Sequence, residues 1–477
     1  MSIAAITALF ATGSICIFLV KRWLYQQQLK ITEQHFIREQ IRRRFTQTQQ
    51  DSLYALYELI PVFTLVLVKD FDLEQFVIVL RDKKLSKTNT ATNNKAHDAD
   101  AANLSSVHGG LTSSIIGTET VRSDVVVVPN VRVNEKVNLL SKAQLWNELK
   151  IKSIIKMITI SYTVSSLLLL TRLQLNILTR REYVDTAVKV AIEQEDARPN
   201  IRNTVFHLFT SWITPAINSN SDNITSEAGN IETKKSGAIS KSKIEYINEQ
   251  AFLSLSWWLL NRGWLEFSSA VEEQVYNEFN DLNPKDTLSL KEFSEKLTNI
   301  FHTVNQKVLV NIKADSEAAD NIKLDSSPNA LNTILLPDVA LREFVLKQTM
   351  DPETLKVLQQ DNSVLDQLLD ETTQYLNGTT SMYVLESLIN ESFQFIMSNL
   401  EHSVSKKKKL NRDDEQSEIK IEDKKFQLAL IAMSCKDCCQ DMLKSGTAAL
   451  DNDFLQRLDS MNTLDDISAS VYSNFEF

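Results

Sequence analysis

Ile3 to Val20 forms a run of eighteen residues without a charge, IAAITALFATGSICIFLV. That length meets the lower limit for crossing a hydrocarbon core of roughly 30 Å. Thr7, Thr12 and Ser14 can bond back to carbonyls of their own helix, which makes them tolerable in lipid. From Leu24 to Gln50 a loose apolar stripe (Leu24, Ile31, Phe36, Ile37, Ile41, Phe45) predicts a helix whose other positions are largely basic. Leu53 to Val68 is apolar again but contains Pro61, which predicts a break or kink there. Phe71 to Leu80 predicts another short helix, with Asp70 or Asp72 as its N-cap.

The pattern then lapses. Lys84 to about Asn138 is rich in Ser, Thr, Asn and Ala and holds no sustained period, so it reads as a mostly disordered insertion. Val125 to Val128 is its one strand-like run, with no partner nearby.

Ser141 and Gln144 match a capping box, and a long helix is predicted to run from there towards Ile192. Its charge-free stretch, Met157 to Thr171, is fifteen residues between Lys156 and Arg172, too short for a span and suited to the middle of a bundle. A second polar insertion covers about 195–243. Helical periodicity resumes over Asn248–Phe267 and from Asp286, then lapses over 313–329. Further helices are predicted at Leu341–Lys347, Pro352–Leu358, Val364–Leu376, Ser381–Leu400, Phe426–Leu443 and Phe454–Phe475, with a charged linker over 405–424. The expected organisation is a transmembrane anchor (1–22), a basic juxtamembrane helix (23–50) and one all-α body (51–477) interrupted by those polar insertions.

Charge gives the anchor a direction. Lys21 to Arg44 carries seven basic and two acidic residues, a net +5, in a chain of −10 overall. With Trp23 and Tyr25 at the interface, this block predicts that the body faces the cytosol. A secretory signal peptide would place its positive charge before the apolar run, and Lys21-Arg22-Trp23 is a poor cleavage context. Glycosylation at Asn103-Leu-Ser or Asn377-Gly-Thr would demonstrate the opposite orientation. An acidic chain also argues against a general nucleic-acid binder.

Only nine of 477 residues are glycine, which leaves few places for a backbone to cradle a phosphate. Neither phosphate-binding glycine loop, nucleophile elbow nor zinc-protease motif is present, and six scattered histidines suggest neither metal nor triad. Cys435, Cys438 and Cys439 lack a second ligand pair for zinc. They share helical spacing with Leu428, Ile431 and Met442, and so read as core. Trp257, Trp258 and Trp264 also read as core. No cofactor, metal site or catalytic residue is expected, and the chain does not read as an enzyme.

Trp146 stands apart. It lies one turn into the long helix, with Lys142 and Leu149 on the same face at i−4 and i+3. Periodicity leaves two readings open, a core tryptophan or an anchor for a docking partner.

Several long blocks resemble the peroxisomal biogenesis factor 3 family of budding yeasts. They are KRWLYQQQLKITEQHFIREQIRRRFTQTQQDSLYALYELIP, KAQLWNELKIKSIIKMITISYTVSSLLLLTRLQLNILTRREY, YINEQAFLSLSWWLLNRGWL, LESLINESFQFIM, SCKDCCQDML and LDDISASVYSNF. They occur in order and cover nearly all the chain outside the insertions. The resemblance implies an anchor in the peroxisomal membrane and an elongated, twisted cytosolic helical bundle without enzymatic activity. It also implies residence in the endoplasmic reticulum during biogenesis.

The implied partner is peroxisomal biogenesis factor 19, the soluble receptor of peroxisomal membrane proteins. An amphipathic helix near its N-terminus would enter a groove at the membrane-distal end. The family's groove pattern K-x-x-x-W-x-x-L falls on Lys142, Trp146 and Leu149, and its groove leucine on Leu80, with Val77 one turn earlier. In yeasts the family also binds peroxisome-retention and autophagy adaptors, so an organelle tether with receptor docking secondary is the alternative. Family members usually carry a basic segment before the span. Here the span starts almost at Met1, so either the start lies elsewhere or targeting rests on Lys21 to Arg44. The 84–138 insertion is expected to loop out beside the groove without filling it.

Overall fold

The computed structural model describes residues 3–93, 135–196, 232–309, 330–409, 424–444 and 452–474. It is a helical bundle built round one long helix, with a single pair of three-residue strands among the described residues.

Helix α1 (Ile3–Asp70) runs unbroken through the apolar head, the basic stretch and the first helix of the body. The break expected at Pro61 does not occur. An interior proline costs a helix about 3 kcal/mol. Leu56, Ile60, Phe63 and Leu67 on the same helix are all fully buried, and each such side chain contributes about 1.5–3 kcal/mol. Packing therefore outweighs the proline. The opposite face of this stretch stays open, with Tyr54, Val62, Leu65 and Val68 exposed.

Asp72 caps α2 (Leu73–Asn93), accepting from the Gln75 amide at 3.2 Å. The short α3 (Glu135–Leu139) follows, then α4 (Lys142–Asp196). The Ser141–Gln144 capping box is formed in both directions, at 2.9 and 3.3 Å. Between Leu149 and Gln174 every side chain of α4 except Lys152 and Lys156 is buried, so its apolar run is the spine of the bundle.

After α4 come α5 (Glu232–Ser254), a helical turn (Ser256–Trp258), a π-turn (Leu259–Gly263) and α6 (Trp264–Phe279). The helix expected over Asn248–Phe267 is thus interrupted. Gly263 permits a close backbone approach there: a Cβ would lie 1.9 Å from the Ile334 carbonyl oxygen. Trp264 is core, near Phe63 and Phe71 at 6.3 and 6.2 Å. Trp257 and Trp258 pack against the same core but stay half-buried at its edge. The Trp258 indole N–H sits at the rim, where it donates to the Thr333 carbonyl at 3.0 Å.

β1 (Thr287–Ser289) pairs antiparallel with β2 (Lys425–Gln427), Leu288 opposite Phe426. Three-residue strands are too short to show alternation in a sequence. β1 delivers Ser289 as N-cap of α7 (Leu290–Val308), with Glu292 completing a capping box. Five helices follow: α8 (Ala330–Leu335), α9 (Val339–Thr349), α10 (Pro352–Leu358), α11 (Ser363–Asn377) and α12 (Thr379–Lys409). The chain ends in α13 (Leu428–Met442), α14 (Asp453–Asp459) and α15 (Asn462–Ser473).

Helices α1, α6, α12, α13 and α15 all pack on α4. Arg172, 2% exposed, closes the C-terminal end onto it: its guanidinium donates to Asp459 at 2.5 Å and to Gln49. Cys435, Cys438 and Cys439 are buried on the inner face of α13, as their spacing predicted.

The helices reach further into the expected insertions than periodicity showed. α2 continues past Lys84 to Asn93, α3 starts inside 84–138, α5 starts before Lys243 and α12 passes Ser405. The rest of those insertions, Val125–Val128 included, lies outside the described residues.

Candidate partner-binding patch

Helices α1 and α4 run antiparallel. Thr48 meets Thr179 at 3.2 Å and Gln49 meets Asn176 at 2.9 Å. Further along, Lys156 Nζ donates to the Phe71 carbonyl at 3.2 Å, just past the end of α1. The part of α4 before Lys156 therefore projects beyond α1. From Val20 to its end at Asp70, α1 rises about 75 Å at 1.5 Å per helical residue, and the far end of α4 lies beyond that.

α2 packs on this projecting segment and closes a small apolar cluster separate from the main core. Leu73, Phe76, Val79 and Leu80 come from α2, and Leu145 and Leu149 from α4. Val77, Val137, Leu140, Trp146 and Met433 are half-buried around it. On α2 the spacing of Leu73, Phe76 and Leu80 gives one face, and Leu145 and Leu149 are one turn apart on α4.

The five residues singled out in the sequence converge here, at different depths. Leu149 is fully buried and Leu80 is 7% exposed. Both act as support beneath the surface. Val77 and Trp146 are half-buried, and Lys142 is exposed one turn before Trp146. A surface ligand would meet Trp146, Val77 and Lys142.

Other members were not found from the sequence. Leu140 could have been: it precedes the N-cap Ser141 and packs in the same cluster as Leu145, the fourth residue of the helix, which is a hydrophobic staple. Val137 also shows that the end of the expected insertion helps to build the patch. Met433 carries no local signal, because α13 reaches the cluster only through the tertiary fold. That helix braces α2 as well: Lys436 Nζ and Gln440 Nε2 both donate to Glu74, at 2.8 and 2.9 Å.

The rim is basic in an acidic chain. The segments of α2 and α4 that form the patch carry Arg81, Lys83, Lys142 and Lys152, against Glu74, Asp82 and Glu148. Lys152 Nζ lies 5.1 Å from the Phe76 ring centroid and 3.9 Å from Glu148. Such a surface favours an apolar ligand face bordered by carboxylates.

The buried ionisable groups behind the patch are held quiet. Burial pushes the Cys439 thiol up to about 12, Lys156 and Lys436 opposing. Burial also lowers Lys156, against the charges of Cys439, Asp72 and Glu74. Among the described residues no three His, Cys, Asp or Glu side chains are grouped as metal ligands.

Residues 2–474 match the family model described as Peroxin-3. The chain is 44% identical to Peroxisomal biogenesis factor 3 of Kluyveromyces lactis, over 98% of this chain and 95% of the relative. It is 43% identical to Peroxisomal biogenesis factor 3 of Saccharomyces cerevisiae, over 100% of this chain and 93% of the relative. A more distant relative, 28% identical over 94% of this chain and 91% of its own length, is the Peroxisomal membrane protein PEX3 of Komagataella pastoris.

Proposed function

The chain belongs to the Peroxin-3 family of peroxisome biogenesis factors, and from that premise we propose that it docks peroxisomal biogenesis factor 19 at the Trp146 patch. The receptor's amphipathic helix lays its apolar face on Trp146 and Val77, while Lys142 pairs with acidic residues on that helix. Leu80 and Leu149 support the floor. The protein brings the receptor and its membrane-protein cargo to the peroxisomal membrane without chemical catalysis.

The observation that carries this reading is the half-buried Trp146, seated on its own apolar cluster with the exposed Lys142 one turn before it, at the end of the bundle away from the apolar head. A rigid, partly buried tryptophan is the kind of side chain on which binding energy concentrates. In the proposed topology residues 1–22 span the membrane once, the basic helix 23–50 lies on the cytosolic side and the body 51–477 faces the cytosol. The Lys21–Arg44 block supports that direction.

Calorimetric titration of the full chain in detergent, with and without Trp146→Ala, tests the docking. A loss of about 2 kcal/mol or more is expected, and an unchanged affinity removes Trp146 from the site. Import of membrane proteins in cells carrying the same substitution separates docking from a tethering role, which would leave import normal.

A further inference from the structure

Leu139 is 86% exposed, more than any other large apolar side chain among the described residues. A single exposed leucine is ordinary; this one is held out by its neighbours. Lys83 Nζ, on α2, donates to the Asn138 carbonyl at 2.9 Å and also to the Leu140 carbonyl. Those two carbonyls flank Leu139 at the C-terminal end of α3, where helix carbonyls lack partners of their own. Leu140 meanwhile turns inward, into the cluster that contains Leu145 and Trp146. With the backbone pinned on both sides and Leu140 half-buried below, a backbone shift that folded Leu139 down onto the surface would break the lysine bonds.

We propose that Leu139 is a further anchor of the docking patch, displayed by Lys83 as a positioning residue, and that it takes the apolar face of an acidic amphipathic helix. This rests on the docking role proposed for Trp146. Continuity and charge select the occupant. Leu140 joins the corner to the Trp146 cluster, Lys83 lies at the corner itself, and Lys142 opens the helix that follows it. A second copy of the chain would set one basic rim against another. The lipid around the apolar head is out of reach, more than about 75 Å away by the helical rise of α1.

The test is titration of the full chain in detergent with a synthetic peptide of the receptor's N-terminal amphipathic segment. The variants are Leu139→Ser, Lys83→Met, Lys83→Arg, the Leu139→Ser/Lys83→Met double and Trp146→Ala. Leu139→Ser should weaken binding about fivefold or more with an unchanged melting temperature, because an exposed side chain adds little to the core. Lys83→Met should weaken binding and speed amide exchange over residues 138–141, and Lys83→Arg should restore both. The double variant should bind no worse than Leu139→Ser alone, since Lys83 acts through Leu139. If Trp146→Ala loses affinity and Leu139→Ser does not, the corner is no part of the site and this proposal falls alone. If neither loses affinity, the docking role falls with it. Additive losses in the double variant would overturn the positioning role of Lys83.

Discussion

Lys150 Nζ donates to the Phe279 carbonyl oxygen at 2.8 Å, and so a lysine with no exposed surface ties α4 to the end of α6 one residue beyond Leu149. It also donates to the Leu282 carbonyl at 2.5 Å. Lys150→Met would leave both carbonyls without that donor and should cost about 2 kcal/mol of stability, read as a lower melting temperature.

The same lysine gives a pH signature. Burial lowers its pKa from 10.5, with Asp286 opposing. Between that lowered value and 10.5 the unfolded chain binds more protons than the native one, so stability rises with pH across this window. Lys150→Met should abolish that part of the rise. Denaturant titrations from neutral pH to about pH 10 compare the two slopes; equal slopes would show that Lys150 does not titrate differently on folding.

Leu149 and Trp146 share a face but should fail differently. Leu149→Ala empties a fully buried position and should cost about 2–5 kcal/mol of stability. Trp146→Ala, at a half-buried position, should weaken peptide binding with a much smaller fall in melting temperature. Parallel melting curves and titrations distinguish support from contact.

Cys435, Cys438 and Cys439 should resist alkylation in the native protein at pH 8. All three are buried, and the Cys439 thiol is pushed up to about 12, so almost no thiolate is present to react. Mass spectrometry after maleimide treatment should find these positions unmodified, and modified once the chain is denatured. Native labelling at Cys439 would contradict its place in the core.

Gly263→Ala should be among the most damaging single-methyl changes. Its Cβ would lie 1.9 Å from a backbone oxygen of α8, an atom that can move only with its helix. A fall of several degrees in melting temperature is expected. Ser→Ala at the exposed Ser269, in the next helix, provides the comparison.

Much of this molecule is legible along the chain. The apolar head, the Ser141–Gln144 cap, the buried face of α13 and the convergence of Lys142, Trp146 and Leu149 follow from local spacing, because helix geometry converts sequence distance into a shared face. Family resemblance rather than periodicity favoured docking over core for Trp146, and periodicity alone could not say that it lies half-way between the two.

What the sequence by itself determined is the set of helices and their apolar faces, since both depend on residues within one or two turns. Tertiary structure decided the rest. Pro61 stays helical because four core side chains on α1 outweigh it. Gly263 is needed because α8 passes close by. Leu149 is floor rather than surface because α2 covers it. Met433 and Lys436 join the patch and its bracing from a helix far along the chain. Each of these turns on what the element packs against, and no local period records the identity of a neighbour tens or hundreds of residues away.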